Sequence, residues 1–315
     1  MSGDEGEPLR VLAGKSHECV GKRRFRVVAH ALAAVAGSQT SRIEIGTAVV
    51  PTHSRHPLYA AQQALTTQAA CGGRFALGLG PSHKLVIENM LGMSYDKPVR
   101  HIRDYLSILG PLSRNEPVRY RGEDYSANLA LTAKGAPPFG IVVAALGPQM
   151  LKATAELADG TLTWCTGPIT LAEYTIPTIN AAADSADRPT PRVIAALPVC
   201  VTDDFEAAKS RAAKVFEIYC SLPSYRAMLD REGAAGPEDI AITGTADEVV
   251  ERIGRLAEIG VTDFAGSQTV TLMIRFCFPP TTVSPAKMTT VLSFVTASID
   301  VTYRGSGAAM PSPLR

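Results

Sequence analysis

The chain has 315 residues, 46% of them hydrophobic, and its 31 Lys plus Arg against 30 Asp plus Glu leave a net charge of +1. That length suffices for one large α/β domain with a sizeable core, and the charge balance creates no field favouring nucleic acid or an anionic membrane. Six scattered cysteines (Cys19, Cys71, Cys165, Cys200, Cys220, Cys277) show no CxxC pair, which fits a reduced, cytoplasmic protein without disulfide or metal ligation. The charged N-terminus has no signal-type apolar core. The apolar stretch 269–299 is cut by Arg275, Pro279-Pro280, Pro285 and Lys287, so no spanning helix is expected.

In chain order, "RIEIGTAVV" (42–50) reads as a buried strand and "PLYAAQQALTTQAA" (57–70) as a helix. "RFALGLG" (74–80) is a second strand and "VRHIRDYLSILGPL" (99–112) a second helix. "GIVVAAL" (140–146) is a strand leading directly into the helix "PQMLKATAELA" (148–158). A strand "GTLTWC" (160–165) precedes a helix over 170–186 that Pro177 should kink or split. "RVIAALPVCVT" (192–202) is a strand, and 204–222 a helix capped by Asp203 or Asp204. The helix 245–260 carries Thr245 and Glu248 at capping-box spacing and ends at Gly260. "VTDFA" (261–265) is a last strand.

Strands alternating with helices imply βαβ units and a parallel sheet. Their number within one run favours a (β/α) barrel over a doubly wound sheet, and the chain has no GxGxxG or Walker motif. The ends differ. Residues 1–28 contain the basic cluster "GKRRFR" (21–26), and residues 266–315 are rich in Ser, Thr and Pro. The organisation expected is an atypical segment 1–28, a barrel over 29–265 and an atypical tail 266–315. At the ends, "FRVVAHAL" (25–32) and "TVTLMIRFCF" (269–278) are the segments able to patch an open sheet edge.

The run "TSRIEIGTAVVPTHSRHPLYAAQQALTTQAACGGRFALGLGPSHK" resembles the third and fourth strands of the bacterial-luciferase-like family. "PPFGIVVAALGPQMLKATAELADGTLTW" resembles that family's next two strand units. "GLGPSHK", "AALGPQM" and "LPSYRAMLDREG" together are most similar to its F420-dependent branch, common in actinobacteria. The resemblance covers about residues 30–265 and neither terminus. It implies a TIM-type (β/α)8 barrel, here incomplete at both ends, that uses reduced flavin or the deazaflavin coenzyme F420.

Active sites of such barrels lie at the C-terminal ends of the strands. The resemblance implies that Thr47, Ala48 and Val49 form a bulge with a non-proline cis peptide against the deazaflavin ring; taken alone, the stretch is an ordinary strand. Gly78 and Gly80 allow close backbone approach, and Pro81 forces the turn that presents Ser82, His83 and Lys84. Gly147 before Pro148 opens a helix whose free N–H groups make an anion site, and the resemblance implies cofactor contact by Ala145, Leu146, Gly147, Gln149 and Met150. Trp164, Thr166 and Gly167 follow the next strand, with Trp164 either flanking the ring or filling core. His56 before Pro57 suits a helix cap, His53 is freer, and His101 belongs on a helix surface. No carboxylate or thiolate shares the spacing of His53, His56 and His83, so no metal is expected.

The function expected is hydride transfer between F420 and a small organic substrate, with His53 or His83 as the general acid. The alternatives are a reduced-FMN monooxygenase and a truncated, catalytically inactive family member. The partners expected are a small-molecule substrate and, as one option, a second copy in a homodimer, with neither nucleic acid nor membrane.

Overall fold

The computed structural model describes residues 29–131, 133, 135–267, 273–277 and 291–295. The basic cluster at 21–26 lies outside them. The elements in chain order are α1 (Ala29–Ser38), β1 (Ile45–Thr47), β2 (Val50–Pro51), α2 (Pro57–Ala70), β3 (Phe75–Gly80), α3 (Pro98–Ser113), β4 (Val118–Arg121), β5 (Ser126–Leu129) and β6 (Gly140–Val143). They continue with α4 (Pro148–Leu157), β7 (Gly160–Trp164), α5 (Pro168–Thr170), α6 (Ile176–Ser185), β8 (Arg192–Val201), α7 (Phe205–Phe216), α8 (Ile218–Ser221) and α9 (Pro223–Glu232). The last are β9 (Ile242–Gly244), α10 (Ala246–Glu258), β10 (Asp263–Ser267), β11 (Met273–Cys277) and β12 (Val291–Val295).

Local chemistry sets these boundaries. Pro57 opens α2, and the His56 ring accepts a hydrogen bond from the Leu58 N–H, so His56 is the cap its position suggested. Asp204, not Asp203, caps α7. Thr245 and Glu248 form a reciprocal capping box on α10, and Gly260 at φ +99° turns the chain beyond it. A π-helical turn over Leu171–Thr175 precedes α6, which places Pro177 in the first turn of α6, where proline is tolerated.

Among the described residues the sheet closes into a ring, β3-β1-β12-β11-β10-β8-β7-β6 and back to β3. Seven of these strands run parallel. β11 runs antiparallel to both β10 and β12. The closing strands come from the tail set apart at 266–315, and β11 lies within the segment that suited edge patching. The other such segment, 25–32, is helical from Ala29 onward rather than a strand.

Alternate residues face two cores. Leu77, Leu79, Ile141, Val143, Val193, Ala195, Leu197 and Phe264 belong to the large cluster shared with the helices. Val142, Leu162, Ile194, Ala196 and Ala265 form a smaller cluster inside the ring, with Ala48, Val49 and Trp164 packed on it.

Two expectations change, and one element is new. The strand expected over 42–50 is two short strands, because the chain steps between β1 and β2 at Ala48–Val49. The helix expected over 204–222 breaks into α7 and α8. The antiparallel pair β4–β5, not anticipated, docks its turn on α3. There the Asp104 carboxylate accepts hydrogen bonds from the Tyr120 hydroxyl at 2.6 Å and the Asp124 N–H at 2.7 Å.

Candidate active site

The C-terminal strand ends form one mouth. At the end of β1 the Thr47 hydroxyl donates to the Gly78 carbonyl at 2.8 Å and accepts from the Gly78 N–H at 2.9 Å. Thr47 is therefore a tie between two strands, fully buried, and its polar atom is not presented to a ligand. The peptide bond between Ala48 and Val49 is cis, as the resemblance implied. Glycine is required opposite: a Cβ on Gly78 would lie 1.8 Å from the Thr47 carbonyl oxygen, and one on Gly80 would lie 2.8 Å from Val49 Cγ2. Ala48 and Val49, both half-buried, so form an apolar shelf over a side-chain-free stretch of β3.

Beyond β3, Pro81 leads to Ser82 at φ 63°, and the Tyr95 hydroxyl donates to the Ser82 carbonyl at 3.0 Å. A series of rings then crosses the mouth. His101 stacks on His53 at 3.9 Å between centroids, and His53 stacks on Tyr95 at 5.5 Å. His83 packs on Tyr225, Tyr225 on Tyr219, and Tyr219 on Trp164, at 5.6, 4.8 and 5.8 Å. Such tilted and edge-on pairs are the favoured aromatic geometries.

His101 was expected on a helix surface, but it is only 6% exposed. Its Nε2 lies 2.9 Å from the Thr52 hydroxyl, and Tyr125 from the β4–β5 turn covers it at 5.2 Å. His53 is not freer than His56 either. It is buried between His101 and Tyr95, and its Nδ1 has no partner among the described residues. Burial, reinforced by the adjacent His53 and opposed in part by Asp124 and Asp104, lowers the pKa of His101 to about 4. Burial also lowers His53, opposed in part by Asp124 and by a hydrogen bond to the Pro81 carbonyl. Burial alone lowers His83, which remains partly accessible. All three rings are neutral at pH 7.

Two helix starts face the mouth, and they differ. At α4, Gly147 is exposed, no side chain caps the helix, and nothing lies within 4 Å of a Cβ placed on Gly147. Gln149 is exposed there as well, Leu146 is half-buried, and Ala145 and Met150 are buried behind them. At α5 the Glu232 carboxylate accepts hydrogen bonds from the Ile169 and Thr170 N–H groups at 3.1 and 2.8 Å. Gly167 is packed against that carboxylate, and a Cβ there would lie 2.3 Å from it. Thr166 is buried, with its hydroxyl on the Trp164 carbonyl at 3.3 Å. An internal anion thus already occupies the second start.

Trp164 is half-buried and its Nε1 has no partner among the described residues. No group of three His, Cys, Asp or Glu side chains among the described residues is placed to hold a metal ion. Sequence reasoning passed over Tyr95 and Tyr219, and it quoted Tyr225 and Glu232 only within the motif "LPSYRAMLDREG", without naming them as site residues. The quoted motif was the available signal for Tyr225 and Glu232, and nothing local ties Glu232 to Gly167.

The comparisons with known proteins follow this geometry. The family described as luciferase-like monooxygenase matches residues 10–263, reaching into the segment set apart before residue 29. A 5,10-methylenetetrahydromethanopterin reductase from Archaeoglobus fulgidus is 27% identical over 266 residues, 73% of this chain and 78% of the relative. A putative coenzyme F420-dependent oxidoreductase from Mycobacterium tuberculosis is 34% identical over 142 residues, 40% of each chain. Among solved structures, the coenzyme F420-dependent tetrahydromethanopterin reductase from Methanopyrus kandleri superposes with a TM-score of 0.65 at 23% identity, covering 77% of this chain and 82% of that one. No helix among the described residues is long and apolar enough to cross a membrane.

Proposed function

The chain belongs to the luciferase-like monooxygenase family, and on that premise we propose that it is an oxidoreductase passing a hydride between coenzyme F420 and a small organic substrate. One observation carries this reading: a flat apolar shelf and an open, uncapped helix start share the mouth with an orphaned indole donor. The residues present fit a flat ring with carbonyl edges and an anionic tail. When bound, the deazaflavin supplies the hydride donor or acceptor carbon. Ala48 and Val49 would support one ring face, the first N–H groups of α4 would receive the phosphate, and Trp164 Nε1 would donate to a carbonyl edge.

His83 is the better placed of the two imidazoles for moving a proton. It is partly accessible on the loop after Gly80, whereas His53 is enclosed and hydrogen-bonded to the Pro81 carbonyl. Because its ring is neutral at pH 7, His83 there acts as a hydrogen-bond donor to the substrate, and its protonated form grows only in acid. The rate of substrate reduction should rise as pH falls below 6.5 until unfolding intervenes.

Titration of the purified protein with oxidised F420 and, separately, with FMN tests the reading. Saturable F420 binding with no comparable FMN binding supports it. Preferential FMN binding makes the chain a flavin enzyme, and binding of neither makes it an inactive relative.

A further inference from the structure

We propose that Tyr95 is a positioning residue for His83: its hydroxyl closes the loop after β3 and so sets where the His83 imidazole stands at the mouth. The inference rests on the hydride-transfer reading of His83. That loop runs from Pro81 to Lys97 between β3 and α3, with a π-helical turn over Leu85–Met90 inside it. Every carbonyl from Gly80 through His83 has a partner. The Gly80 carbonyl accepts from the Thr52 N–H at 3.0 Å, and the Pro81 carbonyl accepts from the His53 ring. The His83 carbonyl accepts from the Val86 and Ile87 N–H groups at 2.9 and 3.0 Å. Between them, the Ser82 carbonyl accepts from the Tyr95 hydroxyl at 3.0 Å, a tie that reaches back across 13 positions from the far end of the loop.

Ser82 is the residue that needs holding. It is not glycine, yet it sits at φ 63°, a conformation that a side chain disfavours unless the surroundings enforce it. Released, Ser82 would return to negative φ and swing His83 with it. Tyr95 is itself fixed from behind. Its ring stacks on His53 with 23° between the planes, His53 stacks on His101 at 8°, and His101 Nε2 meets the Thr52 hydroxyl at 2.9 Å. The stack therefore starts at Thr52, which holds Gly80, and ends at Tyr95, which holds Ser82. The His83 ring packs in turn against Tyr225 of α9. His83 stands between a pinned backbone and that ring, and transfer steps are sensitive to small errors in position.

Tyr95→Phe deletes the hydroxyl and keeps the stacked ring. Its effect is read by NMR titration of the histidine rings in the full-length protein without cofactor, so the outcome is separate from that of the F420 titration. The single variants His53→Gln, His83→Gln and His101→Gln assign the signals. In the wild type, burial holds the His83 midpoint below 6.5. In Tyr95→Phe the freed ring should reach water, and its midpoint should rise by about 0.5 pH unit or more toward 6.5. The midpoints of His53 and His101 should stay where they are, which shows the stack intact. Tyr225 against the ring and Lys84 next in the chain, paired with Glu88 at 3.7 Å, are untouched by the substitution. An unchanged His83 midpoint, or shifts of similar size at His53 and His101, overturns the proposal.

Discussion

At the floor of the barrel, where the strands begin, the Arg192 guanidinium bonds both oxygens of Glu44 at 3.0 and 3.1 Å and reaches Asp263 at 3.1 Å. Thr262 adds a hydrogen bond to the same Asp263 carboxylate at 2.8 Å. At the mouth, Trp164 Nε1 and His53 Nδ1 are buried without a partner among the described residues, and no side chain caps the first turn of α4. The floor joins β1, β8 and β10, whose first residues are far apart in sequence, so its charges act as fasteners. A polar atom left unsatisfied inside a protein costs about 1–3 kcal/mol, and at the mouth that cost is tolerated where a ligand would remove it. The contrast separates what holds this barrel from what it holds.

Acid should have the largest effect, acting on His101 at the mouth and on His30 where α1 packs against Phe75 at the start of β3. His30 and His101 both have pKa values of about 4 when folded, against 6.5 for an ordinary imidazole. The unfolded chain takes up protons first, so stability is complete above pH 6.5 and falls as the pH drops toward 4. Each ring contributes on the order of 2 kcal/mol of loss by pH 5. Urea midpoints at pH 7.5 and 5.0 measure this loss, and His101→Asn should flatten part of the slope.

At the floor, Arg192→Met removes the guanidinium that both Glu44 and the buried Asp263 carboxylate bind and should cost about 3 kcal/mol, read as a lower melting temperature. Gly78→Ala should cost about 1–3 kcal/mol, because the new methyl group meets the Thr47 carbonyl, and it should weaken F420 binding as the shelf shifts. Glu232→Ala removes a helix cap worth about 1 kcal/mol. It should also give the mouth a second, weak inorganic-phosphate site, detectable by isothermal titration. Trp164→Phe should leave the melting temperature almost unchanged while weakening F420 binding by about fivefold, the loss of one hydrogen bond of about 1 kcal/mol.

Local signals were legible in the sequence where one element carried them. α2 begins and ends as its proline and apolar spacing indicate, and the capping box of α10 was visible from Thr245 and Glu248. His101 was misplaced although the signal existed: it shares a stripe with Tyr105, Ile108 and Leu112, all buried. The β4–β5 pair was also readable, from "VRYR" and "SANL" around a short polar turn. The rest depends on partners distant along the chain. Glu44 and Arg192 are separated by 148 positions, and Glu232 and Thr170 by 62. Thr47 looked like a candidate ligand because its tie to Gly78, 31 residues away, leaves no local mark.

Hydrogen exchange of the wild-type protein with and without F420 tests the division between floor and mouth most directly. Binding at the mouth should slow exchange at the Gln149 and Met150 amides and in the Ser82–His83 loop. The β1, β8 and β10 amides beside Glu44, Arg192 and Asp263 should remain unchanged. Protection that appears around Ile169 and Thr170 instead, or along the floor, would contradict the account.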